Sequence, residues 1–431
     1  MLRTYAARLR EDTAPVASPP PARTLAVVPL QTGLPIGELC DALGQELARG
    51  GSLARLDEAA ALGAADRVHR LEQLERRHEQ VMLVAGTPGA GDEWTDFCLT
   101  HADRILAVTG GGPVPLALQL EPALQGCELL FLDGAVGTRG LGLWLDVLEP
   151  RGHHVIRRGE SLRTGTASVA RRLSGRSIGL VLSGGAARGF AHIGVLEELR
   201  GAGVTIDRIG GTSMGAFIGA LAAMGMETAE IDARCYEEWV TRNPLSDYRI
   251  PRTSLIRGNR AEAMLRRTFP GSIEQLPLDF FSVSCDLNRG ETVVHRRGPL
   301  VDAVGASISL PGVVPPLPRD GRLLVDGAVL NNLPVDVMAA TGEGPIIASD
   351  VTNRRGAVVG DTLTIGETLM RTLTLASVDT AEAAQRYADL VIEPADVGVG
   401  FLEFHQIDRL REAGRRAARD ALAVAPAHIF G

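Results

Sequence analysis

The chain has 431 residues, of which 45% are hydrophobic and only 4% aromatic, with a net charge of −8. That length suits two or three domains with aliphatic cores, and the acidic balance provides no domain-wide basic surface for nucleic acid. All 44 basic residues are Arg, which excludes a Walker lysine, a Schiff base, a PLP anchor and a Ser-Lys dyad.

Residues 1–23 read as an N-terminal segment ending in the Pro-rich linker "EDTAPVASPPPAR". Met1 to Arg23 carries arginines but no apolar core of a secretory signal. Residues 24–150 read as a small α/β domain of unknown role. "TLAVVPL", "VMLVAG" and "RILAVTG" are buried-strand runs, while "IGELCDALGQELARG" and "RVHRLEQLERRHEQ" have helical periodicity. The loop "AGTPGAGDEW" resembles a phosphate loop but lacks the G-K-[ST] ending, so a structural or regulatory role is expected. Residues 151–176 form an arginine-rich connector, with seven Arg against the single acid Glu160. A solvated linker is one reading; attraction to anionic lipid headgroups is the other.

Residues 177–395 alternate strands and helices, as a mainly parallel sheet requires. "IGLVL" leads through "SGGAARG" into "FAHIGVLEELRGAG", and "VTIDRIG" leads through "GTSMG" into "AFIGALAAMG". The strands "FFSVSCDL", "ETVVHRR", "RLLVDG" and "PIIASDV" follow, with a helix "PLVDAVGASI" among them. Residues 396–431 read as a tail whose helix packs on the body. The five cysteines are scattered and form no C-x-x-C, so neither a disulfide framework nor a zinc site is suggested. A reducing cytoplasm is the simplest home. The longest apolar stretch, Met214 to Met226, is too short to span a bilayer.

The nucleophile pattern G-x-S-x-G occurs twice, around Ser177 and around Ser213. An activated serine of this kind sits on a sharp turn from strand to helix. Ser213 has "TIDRIG" before it and "AFIGALAAMG" after it, with Gly211 and Gly215 allowing close packing at the turn. Ser177 precedes its strand and reads as a strand-entry residue. Ser213 also stands at a helix N-terminus, where developing negative charge is favoured.

A serine hydroxyl needs a base. Of the nine histidines, His192 lies in a helix, His295 in a strand, and His405 and His428 near the tail. None sits in a glycine-punctuated loop after a strand. Asp326 does better, at the carboxyl end of the apolar strand "RLLVDG", where parallel sheets place their active sites. It could instead cap the segment after it. In "SGGAARG", residues 183–189, Gly184, Gly185, Ala186 and Arg188 form a loop between strand and helix whose N–H groups can face an anion, either a nucleotide phosphate or an oxyanion.

Taken in order, the glycine loop Gly184 to Gly189, the elbow Gly211 to Gly215 and Asp326-Gly327-Ala328 resemble the patatin-like phospholipases. The stretch "SISLPGVVPPL" is similar to their bacterial and neuropathy-target-esterase-like branch. The resemblance covers about half the chain. It implies a three-layer α/β/α hydrolase domain with a mainly parallel sheet, a Ser213–Asp326 dyad without histidine, and an oxyanion hole from the loop N–H groups with Arg188 holding the loop. It implies a phospholipid or lysophospholipid substrate and no metal or cofactor; the cysteines and the arginine-rich residues add the expectation of a cytoplasmic protein with peripheral contact at the inner membrane face. Ala186 stands where the family has a third glycine; if that position needs positive φ, the hole is strained.

Overall fold

The protein is represented by a computed structural model that describes residues 23–430. Residues 62–66, 90–91, 116–117, 119–120, 133–137, 157–160, 249, 251–253, 353–367, 369–371, 373–384 and 427–428 are excluded. The Pro-rich segment, Arg157, Arg158, Glu160 and His428 therefore lie outside the described residues.

The first unit is a six-stranded sheet in the order β2-β3-β1-β4-β5-β6, parallel throughout. Its strands are β1 (Thr24–Pro29), β2 (Leu53–Asp57), β3 (Gln80–Val84), β4 (Arg104–Thr109), β5 (Glu128–Leu132) and β6 (Gly152–Ile156). Every residue of β1 and of β5 is buried, as expected for central strands covered on both faces. The phosphate-loop lookalike carries Asp92 as the cap of the helix that follows. Asp92 Oδ1 accepts the N–H groups of Trp94 and Thr95 at the start of the helix Glu93–His101. A carboxylate thus already occupies the helix end that a phosphate would need.

The arginine-rich residues 151–176 are not an irregular connector. They supply β6 and a helix, Leu162–Leu173, capped by Ser161 and packed against the helix Ile36–Leu47. Arg172 is buried, Arg171 and Arg176 are half-buried, and exposed Arg151 also bonds within the chain. The Arg172 guanidinium makes two hydrogen bonds to Glu343, at 2.7 and 3.1 Å, and lies 3.5 Å from Asp279. Arg171 holds Asp207 through two bonds, at 2.9 and 2.6 Å. Arg176 donates to the Glu46 carbonyl and Arg151 to the Thr341 carbonyl. Arg163 is exposed. Charge counted along the chain overstated the free basic surface, because these guanidiniums are matched by carboxylates and carbonyls remote in sequence.

The second unit is an eight-stranded sheet in the order β11-β12-β9-β8-β7-β13-β14, with β10 also paired to β9. β7 (Ile178–Leu182), β8 (Ile206–Thr212), β9 (Asp279–Asp286), β13 (Ile346–Ser349) and β14 (Leu390–Ile392) run parallel. β10 (Glu291–His295), β11 (Leu317–Arg319) and β12 (Arg322–Asp326) make antiparallel pairs at one end. The helix Met214–Ala223 is buried along its whole length, consistent with its lack of polar residues. Asp207, Asp279 and Glu343, the partners of Arg171 and Arg172, lie at the amino ends of β8, β9 and β13, so the first unit docks at the end of this sheet away from Ser213.

The tail helix, Ile407–Val424, buries Ile407, Leu410, Ala413, Gly414 and Ala418, one stripe of a 3.6-residue period. It crosses the helix Ala191–Gly201 with backbones almost touching. A Cβ on Gly194 would overlap the Arg411 carbonyl, and one on Gly414 the Ala191 carbonyl. Among the described residues no helix is long and apolar enough to cross a membrane.

Candidate active site

Strand register explains why two residues 113 positions apart in sequence meet. β9 carries β10 on one flank. Its other flank pairs first with β8 and then with β12: Thr212 stands opposite Val283, and Asp326 opposite the next residue, Ser284. β8 and β12 therefore run head to head along β9, with their carboxyl ends facing. Sequence reasoning placed Asp326 at the end of a parallel strand. The strand is antiparallel to β9, and collinearity with β8, not a shared direction, brings the aspartate to the turn.

The turn itself is sharp. Ser213 has φ 55° and ψ −123° between β8 and the following helix, a left-handed conformation that costs an L-residue of order 1–3 kcal/mol. Tight packing holds it there: a Cβ on Gly215 would overlap the Leu182 carbonyl. The Ser213 N–H donates to Ser307 Oγ at 2.9 Å, and that hydroxyl donates to the Val283 carbonyl at 2.6 Å. The Ser213 hydroxyl donates to Asp326 Oδ2 at 2.6 Å. Asp326 Oδ1 accepts the Ala328 N–H at 2.9 Å, so the cap-like contact anticipated as an alternative exists beside the serine contact. Asp326 is buried, and burial raises its pKa from 3.8 to about 6, against the opposing pull of the Ser213 and Ala328 hydrogen bonds.

The glycine loop lies across from this pair. Asn332 clamps Gly184 from both sides, its carbonyl accepting the Gly184 N–H at 3.1 Å and its Nδ2 donating to the Gly184 carbonyl at 3.2 Å. Gly184 thus has no N–H to offer. The N–H groups of Gly185 and Ala186 make no hydrogen bond among the described residues, and both residues line the pocket that holds Ser213. Ala186 takes φ 47°, the left-handed conformation that glycine adopts freely. Arg188 does not line the pocket. Its Nε donates to the Val399 carbonyl at 3.1 Å and its guanidinium lies 4.5 Å from the Phe401 ring centroid. The Phe401 carbonyl in turn accepts the Ala187 N–H at 2.9 Å.

The pocket walls are mostly apolar: Met214, Trp239, Leu245, Ile308, Leu310, Val313 and Val314 on one part, Phe401, Leu402 and Phe404 on another. Trp239 stacks on Phe404 with ring centroids 4.9 Å apart. Sequence reasoning missed the second group, since nothing in "GFLEFHQ" marks it as a wall of a distant site. It also missed Ser307 and Asn332; their only signals were position, the one in "SISLPG" and the other in "LNNLP".

Among the described residues no histidine lines the pocket. His192 is buried and bonded to the Ser183 carbonyl and Ser349 Oγ, both at 2.9 Å. His295 contacts Ser284 Oγ at 2.7 Å, and His405 is exposed beside Gln406. Ser177 is buried at the entry to β7, its hydroxyl donating to the Glu343 carbonyl at 2.8 Å.

Residues 180–339 match the family model described as patatin-like phospholipase. An uncharacterized NTE family protein of Mycobacterium tuberculosis is 37% identical over 380 residues, covering 83% of this chain and 64% of that protein. Patatin-like phospholipase domain-containing protein 6 of Homo sapiens is 35% identical over 322 residues, covering 65% of this chain and 23% of its own length. Lysophospholipase nte1 of Aspergillus fumigatus is 28% identical over 492 residues, covering 91% of this chain and 32% of its own. The chain thus spans less than two thirds of the length of each of these relatives.

Proposed function

This chain belongs to the patatin-like phospholipase family, in the branch of the NTE proteins, and from that premise we propose that it is a serine hydrolase of phospholipid or lysophospholipid carboxylic esters. Ser213 is the nucleophile and Asp326 its base. The observation that carries the reading is the 2.6 Å contact between the Ser213 hydroxyl and a buried carboxylate, at a strained turn in an apolar pocket.

Asp326 Oδ2 takes the hydroxyl proton as Ser213 Oγ bonds to the ester carbonyl carbon. The carbonyl oxygen becomes an oxyanion, received by the free N–H groups of Gly185 and Ala186. The tetrahedral adduct collapses, the C–O bond to the glycerol oxygen breaks, and the proton on Asp326 passes to that oxygen. Water then enters, gives a proton to Asp326, and attacks the acyl-serine carbonyl. Collapse of the second adduct releases the fatty acid and returns the proton to Ser213. A base with a pKa near 6 suits this work better than an ordinary aspartate, since proton transfer is easier as the two pKa values approach. The glycine loop, clamped through Gly184 by Asn332 and through Ala187 and Arg188 by the tail, keeps its donors fixed during the charge change.

For a general carboxylesterase or thioesterase with a histidine base, no histidine stands on the pocket wall among the described residues. A non-catalytic lipid binder would not need the buried charge. Labelling with a fluorophosphonate probe tests the reading. Ser213→Ala must abolish both the label and fatty-acid release from phospholipid or lysophospholipid. Equal labelling of the variant, or no labelling of the wild type, would overturn it. Peripheral contact with an anionic membrane face is part of the same proposal.

A further inference from the structure

We propose that the pocket opens on a bilayer-contact surface built by Tyr248, Ile250, Leu255 and the tail turn at Leu402, not by Arg151, Arg171, Arg172 and Arg176. The proposal rests on the lipid-ester reading above. Among the described residues the exposed large apolar side chains include Ile250 at 87%, Tyr248 at 72%, Leu402 at 52% and Leu255 at 42%. They belong to elements that carry the pocket wall. Leu402 itself lines the pocket, as does Leu245 just before Tyr248. Tyr248 pairs with Ile256, and the N–H groups of Leu255 and Ile256 donate to the Gly312 and Val313 carbonyls at 2.9 and 3.1 Å. Val313 lines the pocket.

The exposed apolar side chains thus continue an apolar wall outward from the pocket. Exposed apolar surface of this kind marks an interaction site, and its continuity with a lipid-ester pocket selects the occupant: a phospholipid bilayer, from which the acyl chain slides into the pocket without crossing water. Charge agrees. Arg257 is exposed on the same stretch, where it can meet lipid phosphates; the Arg260 guanidinium beside it is exposed too but donates to Ser246 Oγ at 2.7 Å. Of the nearby carboxylates, Glu237 pairs with Arg242 at 2.8 Å, and Asp247 accepts the Arg260 backbone N–H through one oxygen. By contrast, Arg151, Arg171, Arg172 and Arg176 are bonded within the chain, at the end of the sheet away from Ser213.

The test is flotation of the full chain with vesicles of phosphatidylcholine and phosphatidylglycerol, alongside hydrolysis of the soluble ester 4-nitrophenyl butyrate. Tyr248→Glu, Ile250→Glu and Leu255→Glu, made singly, are expected to lower the vesicle partition coefficient roughly tenfold or more each, with hydrolysis of the soluble ester unchanged. On the wild-type protein, amide exchange of residues 245–248 and 254–256 is expected to slow when vesicles are added, with residues 162–173 unaffected. Wild-type protein that stays off the vesicles, variants that bind them as well as wild type, or protection confined to residues 162–173 would overturn the proposal. Failure of the hydrolase reading looks different: vesicle binding with the expected pattern, but no hydrolysis of the soluble ester by the wild type.

Discussion

Replacing Asp326 by Asn should make the protein more stable and nearly inactive at once. Burial holds the carboxyl at a pKa of about 6, against 3.8 in the open chain. That gap is about two pH units, or about 3 kcal/mol at 1.36 kcal/mol per unit. The sign follows from proton counting. Between pH 4 and 6 the folded state holds a proton here that the unfolded state has released, so stability falls as pH rises through that window. Above pH 6 the folded protein carries a buried carboxylate whose desolvation is not fully offset by the Ser213 and Ala328 hydrogen bonds. Asn does not ionise. Its carbonyl can keep the Ala328 N–H and its amide can donate to Ser213 Oγ, so the packing survives while the base is lost. Denaturant unfolding of both proteins from pH 4 to pH 8 should show nearly equal stability at the acid end. By pH 8 the variant should lead by up to about 3 kcal/mol. Its kcat should fall by about 10²–10⁴, while wild-type kcat/KM rises through an apparent pKa near 6. A variant less stable than wild type at pH 8, a stability difference that does not change with pH, or activity within tenfold of wild type would each refute the reasoning.

Ala186→Gly relieves a left-handed alanine that costs about 1 kcal/mol, but the glycine frees the unfolded chain by a similar amount. Stability and kcat/KM should therefore stay within about 1 kcal/mol and a few-fold, and a loss of activity beyond about tenfold would show that the side chain matters and not only the N–H. His405→Ala should leave ester hydrolysis at pH 7 unchanged, and loss of activity would revive a histidine base. Gly414→Ala puts a methyl group into the Ala191 carbonyl; forcing the tail helix off its neighbour should cost about 1–3 kcal/mol and lower activity by displacing Phe401 and Phe404, read by unfolding and by turnover on the same variant. Arg172→Ala takes two hydrogen bonds from buried Glu343 and leaves it only Arg208 at 3.7 Å, and should lower stability at pH 7 by up to about 3–5 kcal/mol in denaturant unfolding, with the Ser213 fluorophosphonate labelling rate little changed.

Local chemistry made the centre of this protein legible. A strand that ends in glycine, a serine, and a helix of small apolar residues define a turn whatever the rest of the chain does, because only that backbone path fits those residues. The same holds for the strand ending in Asp326 and for the buried runs of both sheets. The arginine-rich residues were misread because sequence reports which charges exist and not what they face; Glu343 and Asp279 are more than a hundred residues from Arg172. Strands β2 and β6 went unread because Arg55 and Asp57 in the one, and His153 and His154 in the other, interrupt any apolar run, and β5 because a run as short as ELLFL is not told from a buried helix segment by periodicity.

What the sequence by itself determined is the set of local parts: the elbow at Ser213, the glycine loop, and an aspartate at the end of a strand. Only the tertiary structure decided that they meet. Consecutive residues of β9 pair with Thr212 and Asp326, the tail helix packs closely enough to bring Phe401 and Leu402 to the pocket, and the clamped loop holds Ala186 at positive φ. Each depends on registers and contacts between segments far apart in the chain. Propensity and periodicity act within a few residues, whereas pairing and close packing settle which distant segments come to lie side by side.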